Sequence, residues 1–270
     1  MGDPTVPDLS YDQIIFLGDS FTDLISSEGG WANLLARDYS PVMDVKFRAR
    51  AGYNTFWLKS ALPSLLQNSP QSKVKLVTLL IGTNDATEPG QLSNVPVDLY
   101  EENLREILNI IHKLAPEARV LVLTPPPLGT KYPHNFFSYN RVKNYRTLCT
   151  ATVTAMIMDT SSEGWAKDRV ALLDIWDVMI PGRLHDKSEF DPSTLSSLFS
   201  DGVHFSKKGH QVVYEAVKAK IADVWPHLEA DRIPRTLPIP HAGFVRAKAG
   251  KEGDAFEVIL KTPKVRSPLL

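Results

Sequence analysis

Cysteine is nearly absent from this sequence. Cys149 stands alone, which excludes an intrachain disulfide, and its setting in RTLCTA (residues 146–151) reads as a small packed hydrophobe rather than a reactive thiol. A chain so built is expected to mature in a reducing compartment. An excess of either charge is missing too: 30 Lys and Arg face 31 Asp and Glu, a formal net charge of -1, and no long basic run offers a phosphate-neutralising stripe. Nucleic acid is therefore not an expected partner. Long apolar runs are also lacking, since charges interrupt them within about ten residues, too few to span a bilayer. The opening MGDPTVPDLSYD places acidic residues and prolines where a signal peptide needs a basic residue and an apolar run. Val6 stands where myristoylation requires Ser or Thr. The expectation is a cytoplasmic protein with no membrane span. Neither G-x-x-x-x-G-K-[ST] nor G-x-G-x-x-G occurs, and there is no internal repeat or low-complexity tract.

What is present is an alternation of short apolar runs with longer stretches of helical period, the pattern of βαβ units. Strands are expected at residues 13–17, 44–47, 75–81, 119–123 and 170–174. Between them, Trp31, Leu34 and Leu35 mark one buried helical stripe, and Trp57, Leu58, Ala61, Leu62 and Leu65 a second. A third helix is expected to carry Pro96 in its first turn and Leu104, Ile107, Leu108, Ile111 and Leu114 on its buried face. A fourth spans residues 139–160; an irregular stretch, 179–205, then leads to a last helix capped by Ser206 with Val213, Val217, Ile221 and Val224 inward. The fold class is α/β: a three-layer α/β/α sandwich around a five-stranded, doubly wound parallel sheet in flavodoxin-like order. That domain is assigned residues 1–228. Residues 229–270 change in composition, from the proline-rich RIPRTLPIP to GFVRAKAGKEGDAFEVILK, and read as a stiff linker with a β-hairpin or an extended tail. This appendage is a candidate surface for self-association.

Four stretches share one geometry. IIFLGDSFTD (residues 14–23) runs from an apolar strand into Gly18, Asp19 and Ser20; ARAGYNT (49–55) puts Gly52 at a second strand end; LLIGTND (79–85) does the same for Asn84; SDGVHFS (200–206) precedes the last helix. In a parallel sheet, adjacent strand ends meet along one edge, so these motifs converge on one crevice. Taken alone, Gly18-Asp19-Ser20 reads more readily as a turn with Ser20 capping the next helix than as a reacting site. Together the four supply complementary chemistry. A serine hydroxyl needs a base, and His204 is the candidate; Asp201, three residues earlier, is placed to accept the Nδ1 proton and fix the tautomer. The N–H groups of Ser20 and Gly52 and the side-chain amide of Asn84 are candidate donors to an oxyanion. Gly202 lets the chain bend between Asp201 and His204. Asp19 and Asp85 read as braces for their loops rather than reacting groups. The other histidines, His112, His134, His185, His210, His227 and His241, show no comparable partner pattern and read as surface or packing residues. No second close-spaced ligand pair or cysteine cluster accompanies His185-Asp186, so a catalytic metal is not expected.

These four blocks, Gly18–Ser20, Gly52, Gly82–Asp85 and Asp201–His204, resemble in order the four blocks of the SGNH (GDSL-type) hydrolases. The resemblance covers about residues 14–225. It implies Ser20 as nucleophile, His204 and Asp201 as base and orienter, Gly52 and Asn84 as oxyanion donors, and no cofactor. AGYNT, IGTNDA, VPVDLYEENL, LTPPPL and SDGVHFSKKG are further similar to the isoamyl acetate-hydrolysing esterase branch, which implies short-chain carboxylic esters as small-molecule substrates. The G-D-S block differs from the G-x-S-x-G elbow of α/β-hydrolases. Phe21, Trp57, Leu128 and Phe205 flank these blocks and are the expected walls of an apolar acyl slot, with the prolines of TPPPL (124–128) a rigid pocket edge. The same machinery would also serve an acyltransferase, a thioesterase or a lysophospholipase. A reading from another class is a non-catalytic binding protein using the cleft and the appendage.

Overall fold

The computed structural model describes residues 11–23, 29–66, 73–130, 132–159, 168–180, 182 and 190–234. Five strands, β1 (Gln13–Gly18), β2 (Asp44–Ala49), β3 (Val74–Leu80), β4 (Arg119–Leu123) and β5 (Val170–Leu173), form one sheet in the order β2-β1-β3-β4-β5. Every neighbouring pair is parallel. This is the flavodoxin-like order. The helices are α1 (Trp31–Tyr39), α2 (Thr55–Leu65), α3 (Val97–Leu114), α4 (Tyr139–Met158), α5 (Ile175–Met179) and α6 (Lys207–Val224). On one side α1 packs on α6; on the other α2 packs on α3, and α3 on α4.

The interior strand β1, QIIFLG, is buried at every position, as a strand covered on both faces must be. Edge strand β2 is only half-buried over most of its length and keeps Asp44, Lys46 and Arg48. In α3 the buried Tyr100, Leu104, Ile107, Leu108 and Ile111 recur at three- and four-residue steps, the stripe that holds it to the sheet. Strand order reverses about β1, with β2 on one flank and β3 on the other. Gly18 at the end of β1 is level with Ala49 of β2 and Leu80 of β3. The loops leaving these three strands therefore start side by side, at the switch point where doubly wound sheets hold their ligands.

Some local expectations shift. Pro96 sits at the N-cap position of α3, one residue before the first turn. The described fourth helix ends at Met158. The stretch expected to be irregular contains a 3-10 helix, Pro192–Leu198, whose first turn Asp191 caps through the Ser193 N–H. The five-residue α5 escaped notice because so few residues cannot display a helical period. Two units divide the chain, Ser10–Ile233 and a second made of Met1–Leu9 with Pro234–Leu270. The expected linker beyond Pro234 and the expected β-hairpin lie outside the described residues.

Candidate active site

Ser20 follows β1 directly, in a turn that Asp19 organises. The Asp19 carbonyl accepts from the N–H groups of Thr22 (3.0 Å) and Asp23 (2.9 Å), and its Oδ1 accepts from the Phe21 N–H at 3.1 Å. The Ser20 Oγ lies 2.9 Å from Nε2 of His204, a residue 184 positions away in the chain. On the far side of the ring, Nδ1 lies 2.8 Å from Oδ2 of Asp201. A carboxylate there holds the proton on Nδ1, which leaves Nε2 as the acceptor for the serine hydroxyl. The other carboxylate oxygen, Oδ1, accepts the N–H groups of Val203 (2.9 Å) and His204 (2.7 Å), so one aspartate shapes the turn and orients the ring. Gly202, at φ +87°, takes the left-handed conformation that this tight turn requires. Immediately after, Ser206 Oγ accepts from the Gly209 N–H at 3.2 Å and starts α6. Partial burial works to raise the Asp201 carboxyl, but bonds from the His204 ring and the two N–H groups outweigh it and hold the group below the usual carboxylate range.

Gly52 stands third in a four-residue turn closed by the Tyr53 N–H on the Arg50 carbonyl at 3.1 Å, and its φ of +83° has the sign that a type II turn demands there. Its N–H is not used by that closing bond. Asn84 donates through Nδ2 to the Tyr53 carbonyl at 2.8 Å, which engages one of its two amide hydrogens. The neighbouring Asp85 carboxyl is fully buried and accepts the Thr55 N–H with both oxygens, at 3.0 and 3.1 Å, as well as the Thr55 hydroxyl. Burial dominates over these bonds and pushes Asp85 up to about 7. Burial also raises Asp19, to about 8 despite its bond from the Phe21 N–H, and the nearby Asp85 adds to the rise.

A cavity of about 460 Å³ opens over this group. Ser20, Gly52, Asn84, Asp201 and His204 all line it. Its apolar wall is formed by Phe21, Val203, Pro133, Phe136 and Phe137. Of the residues expected to form that wall, only Phe21 does. Leu128 is fully buried in the core, and Phe205 turns inward, its ring 4.7 Å from that of Phe21. Trp57 is half-buried on α2 and packs near Tyr53, with ring centroids 6.4 Å apart. The residues missed belong to YPHNFF (132–137), between β4 and α4. That loop reaches the site because Phe137 bridges to Thr87 and the Glu88 N–H donates to the Phe136 carbonyl at 2.9 Å. Paired aromatics in a loop leaving the same sheet edge were the available signal.

His210, read as a surface or packing residue, is buried, and its Nδ1 accepts the Trp31 N–H at 3.2 Å. Burial, with His204 nearby, pushes its pKa down to about 4. Cys149 is buried. His185 and His241 lie outside the described residues. Among the described residues, no three His, Cys, Asp or Glu side chains are grouped to hold a metal ion, and no helix is long and apolar enough to cross a membrane.

The family model described as GDSL-like lipase/acylhydrolase matches residues 14–217, most of the chain and all of the site above. The chain belongs to the GDSL-like lipase/acylhydrolase family. As a GDSL-type protein it is a carboxylic ester hydrolase, of a family that works through a serine nucleophile and a catalytic triad. It is similar to a GDSL esterase/lipase of Arabidopsis thaliana, 27% identical over 244 residues, covering 87% of this chain and 94% of the relative. It is also similar to an isoamyl acetate-hydrolyzing esterase 1 homolog of Rattus norvegicus, 28% identical over 236 residues, covering 85% of this chain and 87% of the relative. Among solved structures, a lipase/acylhydrolase from Enterococcus faecalis shares the GDSL-type fold at a TM-score of 0.57 and 19% identity, covering 83% of this chain and 98% of that one.

Proposed function

We propose that this protein is a serine esterase for short-chain, uncharged carboxylic esters, with Ser20, His204 and Asp201 as its triad. The observation that carries this reading is the relay from Ser20 Oγ to His204 Nε2 (2.9 Å) and from His204 Nδ1 to Asp201 (2.8 Å), set on the floor of a cavity with an apolar wall. Ser20 Oγ attacks the ester carbonyl as its proton passes to His204 Nε2, and Asp201 stabilises the imidazolium. The carbonyl oxygen becomes an oxyanion held by the N–H groups of Ser20 and Gly52 and the Asn84 amide. Collapse breaks the ester bond, and the leaving alcohol takes the proton from His204. Water, deprotonated by the same ring, then releases the acid and restores Ser20.

Two features support the substrate class. The cavity volume falls in the range of small-ligand pockets, and Phe21, Phe136, Phe137, Pro133 and Val203 give it an apolar side. No Lys or Arg is among the described residues that line it, so none of these side chains would pair with a phosphate or carboxylate on the substrate. The relative of Rattus norvegicus bears the name of an isoamyl acetate-hydrolyzing esterase homolog, which fits the same class. A single, buried cysteine fits work in the cytoplasm.

The test is a panel of p-nitrophenyl esters of graded acyl length. Acetyl to hexanoyl esters are expected to turn over fastest, Ser20→Ala to abolish turnover, and Phe136→Ala to move the optimum to longer chains. Faster turnover of the dodecanoyl ester by the wild type, or of phosphodiesters, would overturn the substrate class.

A further inference from the structure

The oxyanion side of the site is built from two loops that are separate in sequence, one carrying Gly52 and the other Asn84. Their fixed distance from each other cannot come from either loop alone. Three residue pairs join them by hydrogen bonds. The Asn84 amide donates to the Tyr53 carbonyl at 2.8 Å, the Asn54 amide donates to the Ser93 carbonyl at 2.9 Å, and the Asp85 carboxyl receives both the N–H and the hydroxyl of Thr55. Thr55 and Asp85 are fully buried, so water cannot substitute for the bonds between them. The Thr55 hydroxyl is used twice: it donates to Asp85 and accepts from the Asn103 amide of α3 at 3.2 Å. Asn103 is itself buried. The Asp85 carbonyl is held in turn by the Val95 N–H at 3.1 Å and the Asn94 amide at 2.9 Å.

We infer that Thr55 is a positioning residue for the esterase reaction: its hydroxyl, held between Asp85 and Asn103, locks the Tyr53 carbonyl against the Asn84 amide. The consequence is geometric. With one Asn84 hydrogen committed to Tyr53, the amide plane is fixed, and the second hydrogen remains for the oxyanion in the cavity that Asn84 lines. A donor fixed before the reaction needs no reorganisation as charge develops on the carbonyl oxygen, so losing the lock lowers kcat more than it raises KM. Thr55, Asp85 and Asn103 do not touch the reacting atoms. They act through Asn84, and this inference rests on the donor role given to Asn84 above.

The experiment is a double-mutant cycle between Thr55→Val and Asn84→Ala, with kcat and KM measured on p-nitrophenyl acetate. Thr55→Val keeps the shape and removes the hydroxyl. It is expected to lower kcat by about 10- to 30-fold with KM within about threefold, and Thr55→Ser to restore kcat to within about threefold of wild type. In the Asn84→Ala background, Thr55→Val is expected to lower kcat by no more than about threefold further, because the group it positions is gone. If Thr55→Val does not fold, Asn103→Ala, which removes only the outer bond, takes its place in the cycle with an expected loss of about 3- to 10-fold and the same non-additivity. Losses that multiply while Asn84→Ala is itself impaired would overturn the positioning role and leave the donor assignment standing. So would a kcat for Thr55→Val within about twofold of wild type, or a loss confined to KM. An Asn84→Ala enzyme with wild-type kcat would instead withdraw the donor assignment, and the inference with it.

Discussion

Truncating Asn84 to alanine removes one of three proposed oxyanion donors and leaves the other two, both backbone N–H groups, in place. Loss of a single such donor in a water-excluded site lowers kcat by about 10²–10³, or about 2.7–4 kcal/mol. Two structural features put this case at the lower end. Asn84 is half-buried rather than buried, and the cavity of about 460 Å³ above it leaves room for a water to donate in place of the missing amide. The amide also donates to the Tyr53 carbonyl at 2.8 Å, so truncation frees that carbonyl beside the solvent-accessible Gly52 turn, where water satisfies it. The expected outcome is a fall in kcat of about 100-fold, equivalent to about 2.7 kcal/mol at about 1.36 kcal/mol per decade. KM should stay within about threefold, because the neutral ester carbonyl gains little from the donor before attack. Asn84→Asp should be at least as impaired, since it sets a carboxylate where negative charge must develop. Initial-rate kinetics on p-nitrophenyl acetate, with circular dichroism to verify folding, make the measurement. An Asn84→Ala enzyme with unchanged kcat, or one altered in KM alone, would refute the reasoning.

Two buried groups away from the reacting atoms give pH signatures in stability. His210, held neutral down to about 4 against 6.5 in the unfolded chain, binds fewer protons folded than unfolded below 6.5, so its contribution is lost as pH falls through that window. At pH 5 this amounts to about 2 kcal/mol, or roughly 4–8 °C in Tm for a domain of this size. His210→Asn should therefore lose less Tm than wild type between about pH 7 and about pH 5 in a thermal shift assay, and parallel curves would count against it. Asp19 has the opposite sign: its folded pKa of about 8 lies above the unfolded 3.8, so its contribution is present below 3.8 and lost as pH rises toward 8. The Tm of Asp19→Asn minus that of wild type should grow steadily as pH rises from about 5 to about 7, and a pH-independent difference would show that the buried group is not neutral in the fold.

Much of the fold could be read from residue patterns because its strands are buried on both faces and its longer helices repeat their apolar positions many times. The five strand positions and the flavodoxin-like order needed nothing more. The polar centre was legible for a related reason: Ser20, Gly52 and Asn84 follow directly from strands whose ends are level, so placing the strands places the residues. The cavity wall was not. Phe136 and Phe137 reach it through a loop whose path depends on the bridge to Thr87 and on the Glu88 bond, contacts between segments far apart in the chain. Phe205 was misplaced because adjacency to His204 says nothing of side-chain direction; in the structure it packs under Phe21 and edge-on to His210, 5.3 Å away. The Thr55 hydroxyl bonds were invisible for the same reason, since Thr55 reads as an ordinary first helical residue.

The central claim is that Ser20 becomes acylated, and the direct test is to look for the acyl-enzyme itself. The wild type, mixed with p-nitrophenyl acetate and quenched in acid during the first turnovers, should gain the mass of one acetyl group, and peptide mapping should place it on Ser20. Ser20→Ala should gain none and release no p-nitrophenol above the buffer rate. An acetyl group found on another residue, no covalent species during rapid turnover, or a Ser20→Ala enzyme that still hydrolyses the ester would contradict the account.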